Sequence, residues 1–177
     1  MDESLSNQFL VATPGMQDDV FTKSVVYLYQ QNDEGTVGFI VNKPLQVKAE
    51  NILPQLSLNL YEDQMKDLPI FLGGPFSPDQ GLVIYEKDLN SSGPEVITSN
   101  QSEFDIMPSE GNEFLVILGH SFWSPGELEK QIAHNDWLIA PFKRDIIFSK
   151  EIANKWHIAL ASIGINVSSF SEEGGHG

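Results

Sequence analysis

Two short apolar runs separated by a polar stretch give the clearest local pattern in this chain. Val25 to Gln30 (Val-Val-Tyr-Leu-Tyr-Gln) and Thr36 to Val41 (Thr-Val-Gly-Phe-Ile-Val) are rich in β-branched and aromatic residues. Gln31-Asn32-Asp33-Glu34-Gly35 lies between them, with a glycine where the backbone needs a positive φ. This is the pattern of a β-hairpin. Asn42-Lys43-Pro44 ends the second strand, because proline donates no ladder hydrogen bond. Pro69 to Leu72 and Gly81 to Tyr85 predict two more strands, joined by Gly73-Gly74-Pro75-Phe76-Ser77-Pro78. Glu95 to Thr98, Trp137 to Ala140 and Asp145 to Phe148 read as strands as well. Phe114-Leu-Val-Ile-Leu118 is continuously apolar, as expected of a central strand covered on both faces.

The helical signals are fewer. Val47, Ile52, Leu53, Leu56 and Leu60 are spaced as on a short helix, with Pro54 kinking it or marking its first turn. Ser124-Pro125-Gly126-Glu127 has a capping-box pattern, which predicts a helix from Pro125 to His134 with Ser124 at its N-cap. Leu128 and Ile132 would face the core, and His134 would meet the negative pole of the dipole. Ser149 is expected to cap a last helix running to Gly164, with Ile152, Trp156, Leu160 and Ile163 on its apolar face. Roughly eight strands and two or three helices, not in strict alternation, predict an α+β fold.

At 177 residues the chain suits one domain. We expect a single unit over 1–177, with the polar, Gly-rich 171–177 as a disordered tail. Cysteine is absent, which removes disulfides, thiolate nucleophiles and cysteine metal sites and fits a reducing compartment. Met1-Asp2-Glu3 is acidic and precedes no apolar leader-like run, and no stretch reaches bilayer-spanning length. A cytoplasmic protein without membrane contact is therefore expected. Ten basic against 25 acidic residues leave a net charge of −15. Arg144 is the only arginine, so direct nucleic-acid binding is not expected. The acidity fits a solvated surface.

The chemistry-bearing patterns are sparse. His120, His134, His157 and His176 have no metal-site spacing, so no metal and no cofactor are expected. Gly119-His120-Ser121-Phe122-Trp123 sits at a predicted strand–turn–helix junction, where a nucleophile elbow belongs. However, Trp123 stands where Gly-x-Ser-x-Gly requires a small residue, and neighbours on a strand point to opposite faces. Gly73-Gly74-Pro75 matches no phosphate-loop pattern and reads as a tight turn. The adjacent carboxylates Asp18-Asp19, Glu62-Asp63 and Glu172-Glu173 read as solvated loop residues. Phe122, Trp123 and Trp137 read as core; the alternative is an aromatic platform in which Trp123 lies beside the helix N-terminus, where free backbone N–H groups could hold an anion.

Several segments, in order along nearly the whole chain, resemble the AlgH/YqgE family. They are Leu5 to Gly15, Asp19-Val-Phe21, Glu34 to Pro44, Phe71-Leu-Gly-Gly-Pro75, Gly81 to Tyr85, Gly119 to Trp137, Lys155-Trp156 and Leu160 to Ile165. The resemblance implies a mixed, mostly antiparallel sheet bent into a partial barrel, and a bacterial cytosolic protein. It implies no established activity; one branch carries a label of transcriptional regulator. This chain departs from the family pattern at Lys43, where arginine is usual, at His120-Ser121-Phe122, at Glu127 and at Tyr85.

From the gathering of distinctive residues at turns, the expected function is a small regulatory or binding protein, with indirect regulation of transcription as one form. The candidate surface joins Asn42, Lys43 and Pro44, Gly73, Gly74 and Pro75, and Trp123, Gly126 and Glu127. Its partner would be a protein or a small ligand, and the chain a monomer or small homo-oligomer. The alternative is an enzyme of unrecognised class using a groove near His120, Ser121 and Glu127.

Overall fold

One open sheet, strongly bent, dominates the computed structural model, which describes residues 4–56, 67–86, 93–98 and 113–167. Its strands are β1 (Gln8–Ala12), β2 (Val25–Asn32), β3 (Gly35–Ile40), β4 (Ile70–Leu72), β5 (Phe76–Tyr85), β6 (Glu95–Thr98), β7 (Phe114–Trp123) and β8 (Trp137–Pro141). The order is β6-β5-β7-β3-β2-β1-β8, and β4 lies off this path beside β7. The β4–β7 pair is parallel and the other pairs are antiparallel. The predicted hairpin is present, with Asn32 opposite Gly35 across a two-residue loop. The fold class is thus α+β, with a mixed, mostly antiparallel sheet that does not close. The tail 171–177 and residues 57–60 of the predicted 47–60 helix fall outside the described residues.

Gly119 sets the bend. Leu115 and Ile117 of β7 face one cluster, while Val116 and Leu118 face another. Uninterrupted alternation would place Trp123 with Leu115 and Ile117. Instead Trp123 packs with Leu10, Val26 and Leu128, away from that cluster. The φ of +78° at Gly119 supplies the half-step. At the same level β5 slips register, between Phe76 opposite His120 and Gly81 opposite Leu118. Such a bulge re-aims every later side chain and bends the strand. The junction expected at 119–123 is therefore a kink inside one strand of ten residues. Likewise β5 begins at Phe76, which shortens the predicted 73–78 connection to three residues.

Because the sheet bends, its two halves share a core. Phe9, Tyr27 and Phe39 from one half pack with Leu82, Ile84, Leu115 and Ile117 from the other. Helices α3 (Arg144–Phe148) and α4 (Lys155–Ala161) cover this face. The outer face is covered separately, by α1 (Ala49–Ile52) with its following 3₁₀ turn (Leu53–Leu56) and by α2 (Glu127–Ala133). Four short helices are described where two or three were expected.

The boundaries also differ. Asp145 to Phe148, expected as a strand, lies in α3, with Ile146, Ile147 and Phe148 all buried. Their strand-forming side chains yield to tertiary packing, which overrides a weak propensity in so short a segment. The last helix starts at Lys155 after a 3₁₀ turn (Ile152–Asn154). Its predicted face holds: Trp156 and Leu160 are buried, and Ile152 and Ile163 pack against the same cluster. Helix α2 starts at Glu127, and its N-cap is Gly126, not Ser124. The capping box is half made. The Glu127 carboxylate accepts hydrogen bonds from the Ser124 hydroxyl at 2.6 Å and the Ser124 N–H at 3.1 Å.

Arg144 ties α3 to the end of β5. Its Nε donates to Glu86 Oε2 at 2.6 Å, and Glu86 is nearly buried while Arg144 is 43% exposed. The Glu86 carboxylate holds the guanidinium pKa above its ordinary value. Arg144→Met should lower unfolding stability by about 1–2 kcal/mol, because it strands a desolvated carboxylate at a partly screened site. Urea denaturation of the two proteins measures this.

Candidate functional site

The glycine pair predicted as a turn is the fork of the sheet. Gly73 donates its N–H to Leu118 O, and its carbonyl accepts from Ile40 N–H at 2.9 Å and from the Ser121 hydroxyl at 2.9 Å. Here β7 leaves β4 and takes up β3. A Cβ on Gly73 would stand 2.3 Å from Gly119 O, and one on Gly74 2.2 Å from His120 O. Close backbone approach explains the glycines.

Asn42 and Pro44 are also tied into the sheet. The Asn42 side chain accepts from Val25 N–H at 2.8 Å and donates to Lys23 O at 2.9 Å. Pro44 bridges Phe71, and the flanking backbone of Lys43 and Leu45 bonds to β4. Lys43 donates its ammonium to Thr22 O. Burial, helped by the charge of Lys23, lowers its pKa.

Trp123 and Trp137, as the core reading anticipated, are each 2% exposed, whereas Phe122, read as core with them, lies on the surface. The indole N–H groups of Trp123 and Trp137 both donate to Gln131 Oε1, at 3.1 and 2.9 Å. Glu127 lies near the surface with its pKa lowered by the Ser124 hydrogen bonds. Thr36, near the start of β3, pairs with Trp123, whereas Asn42 to Pro44 follow the other end of that strand. Of the nine predicted residues, Asn42, Lys43 and Pro44 follow β3, Gly73, Gly74 and Pro75 join β4 to β5, Trp123 ends β7, and Gly126 and Glu127 open α2, and none of them lines the groove at Gly119. The trio His120, Ser121 and Glu127 is not brought together either. Ser121 is buried and bonded to Gly73 O, Glu127 is held by Ser124, and only His120 opens to a groove.

That groove occupies the crease at Gly119. Its volume is about 200 Å³. Val37 and Phe39 of β3, Leu82 of β5 and Val96 of β6 make it apolar, and Gly81 and Gly119 leave the space open. Tyr29, Gln30, Gln80 and His120 bring polar groups to it. Burial lowers the His120 pKa, which favours the uncharged ring, with one donor and one acceptor. Phe76 stacks on His120 with centroids 5.8 Å apart and meets Phe122 edge-on at 6.2 Å. Phe76 and Phe122 are 47% and 37% exposed. Sequence reading missed this groove, because its residues come from five strands and only the bulge brings them together.

Lys155, which entered the sequence reading only through the Lys155-Trp156 segment of the resemblance, is fully buried in the core. Its ammonium donates to Val41 O at 2.9 Å and Ile147 O at 2.6 Å, and sits 4.8 Å from the Phe71 ring centroid. It thereby satisfies a last-turn carbonyl of α3 and fastens that helix to the end of β3. Burial pushes its pKa down to about 8, partly opposed by Glu113. Among the described residues no His/Cys/Asp/Glu group could hold a metal ion, and no helix is long and apolar enough to cross a membrane.

A bent, open, mostly antiparallel sheet with short helices on both faces and a glycine fork at its crease defines the structural class. The chain belongs to the AlgH-like family, whose profile matches residues 9–168. It is 37% identical over 175 residues to a UPF0301 protein of Coxiella burnetii (strain Dugway 5J108-111), covering 97% of this chain and 96% of that one. A UPF0301 protein of Vibrio parahaemolyticus is 33% identical, with 98% and 99% covered. The solution structure of the AlgH protein from Pseudomonas aeruginosa matches with a TM-score of 0.72 at 29% identity, covering 97% of each chain. Protein DIP2367 from Corynebacterium diphtheriae shares the fold, with a TM-score of 0.69 at 20% identity over 90% of this chain and 87% of that one.

Proposed function

We propose that this chain is a small cytoplasmic binding protein, not a catalyst, and that any effect it has on transcription is indirect, exerted through a partner held in the crease groove. One observation carries the reading: an apolar hollow, edged by neutral hydrogen-bonding groups and exposed aromatic rings, at the point where the sheet bends. Concave apolar surface with a few convergent polar groups is the usual form of a recognition site, and exposed aromatic residues are characteristic of interfaces. A cysteine-free chain fits a reducing compartment. The charge of −15 argues against direct contact with a phosphate backbone.

Filling the groove tests this. Val37→Trp and Gln80→Trp each place an indole in the hollow. With folding checked by circular dichroism, quantitative affinity capture should recover partners with wild type and lose them roughly tenfold or more with both variants. Equal recovery by all three proteins would remove the groove from the function.

A further inference from the structure

The crease groove has a size, a chemistry and an electrostatic setting that together narrow its occupant. Resting on the groove reading above, we infer that it receives one aromatic side chain from an extended segment of a partner protein, with lysine or arginine on either side of that residue.

Size comes first. Pockets for whole small-molecule ligands run roughly 300–1,000 Å³, whereas this hollow is about 200 Å³. That space suits a single ring against Phe39 and Leu82. The surroundings extend the contact beyond the hollow: Phe76 and Phe122 stand exposed beside it, stacked on and edge-on to their neighbours. Exposed rings around a small pocket match an anchor residue with a ring of weaker contacts, the usual anatomy of an interface hot spot. The Gln30 and Gln80 amides and the His120 imidazole make no hydrogen bond to another described side chain. Each offers both a donor and an acceptor, which is what the backbone of an extended segment requires.

Charge selects the flanks. Among the described residues, no lysine or arginine lines the groove. The exposed charged residues nearest its lining in sequence are acidic: Asp33 and Glu34 at the hairpin tip beyond Gln30, and Asp79 beside Gln80. The whole chain carries −15. Complementary potentials favour a cationic segment and repel an acidic one.

The test uses the full ¹⁵N-labelled chain and four probes followed by amide chemical shifts. They are acetyl-Lys-Lys-Trp-Lys-Lys-amide, the same peptide with alanine for tryptophan, acetyl-Glu-Glu-Trp-Glu-Glu-amide, and N-acetyltryptophanamide. The basic tryptophan peptide should shift Phe39, Gly81 and His120 and saturate at about tenfold lower concentration than the other three. Added salt should shrink that advantage. Asp79→Asn combined with Glu34→Gln should weaken the basic peptide several-fold while leaving N-acetyltryptophanamide unchanged, and Val37→Trp should abolish all shifts. Equal binding by the acidic or the alanine peptide overturns the inference. If N-acetyltryptophanamide enters the groove and the basic flanks add nothing, the groove reading survives and the cationic partner falls. If no probe moves the groove resonances, both fall. Shifts at the same residues on simple dilution would assign the groove to a second copy of the chain and also overturn the inference.

Discussion

Gly74→Ala should destabilise the protein by about 3 kcal/mol or more, the upper range for forced overpacking. The new Cβ would lie 2.2 Å from His120 O and 2.3 Å from the Ser121 hydroxyl oxygen. Neither can retreat cheaply. His120 O belongs to the backbone of β7, and the Ser121 hydroxyl is bonded to the carbonyl that also receives Ile40 N–H. Relief of the clash therefore opens the fork between β3, β4 and β7. Gly126→Ala is the control. Gly126 has a φ of +84° but nothing within 4 Å of a Cβ, so only backbone strain of about 1 kcal/mol is expected there. Urea denaturation of the two variants separates close approach from conformation. Equal losses would mean that Gly74 is not held by the strand crossing it.

Lys155→Ala should cost a similar amount, about 3 kcal/mol, by leaving a cavity and withdrawing a donor from two buried carbonyls. Lys155→Met keeps most of the packing and should cost less. The pH dependence distinguishes the charge from the volume. The folded-state pKa is about 8 against an ordinary 10.5. Between these values the unfolded chain holds the proton that the folded chain has released, so wild-type stability rises with pH across this window. Below it, the cost of burying the ammonium is fully present. Relative to Lys155→Met, wild type should gain steadily from pH 8 toward pH 10, by at most about 3 kcal/mol. Denaturation curves for both proteins at several pH values would show it, and a constant difference would mean that Lys155 titrates normally.

Such a lysine is hard to see in a sequence. Lys155 follows Asn154 and precedes Trp156 like any helix-surface cation, and the acceptors that hold it lie 114 and 8 residues away. The same distinction runs through the candidate site. Asn42, Gly73 and Gly74 are recognisably special in the chain, since glycine pairs and an Asn-x-Pro turn signal backbone demands. Those demands prove to be the sheet's own: the Asn42 side chain is spent on Val25 and Lys23, and the two glycines on the crossing of β7. A turn-forming residue and a ligand-binding residue carry the same local signal, and only their neighbours tell them apart.

The chain's own pattern determined the β2–β3 hairpin, the inward face of Ile152, Trp156, Leu160 and Ile163, the buried stretch Leu115 to Leu118, and the acidity that shapes any partner. These depend on side-chain periods and turn chemistry within a few residues, or on simple counts. The tertiary structure decided the rest. It turned Asp145 to Phe148 into helix, reversed the facing of β7 at Gly119, and opened a groove lined from five strands. Each of these depends on contacts between residues far apart in sequence. A one-residue slip at a bulge moves every later side chain to the other face of a sheet, and no local pattern announces where it falls.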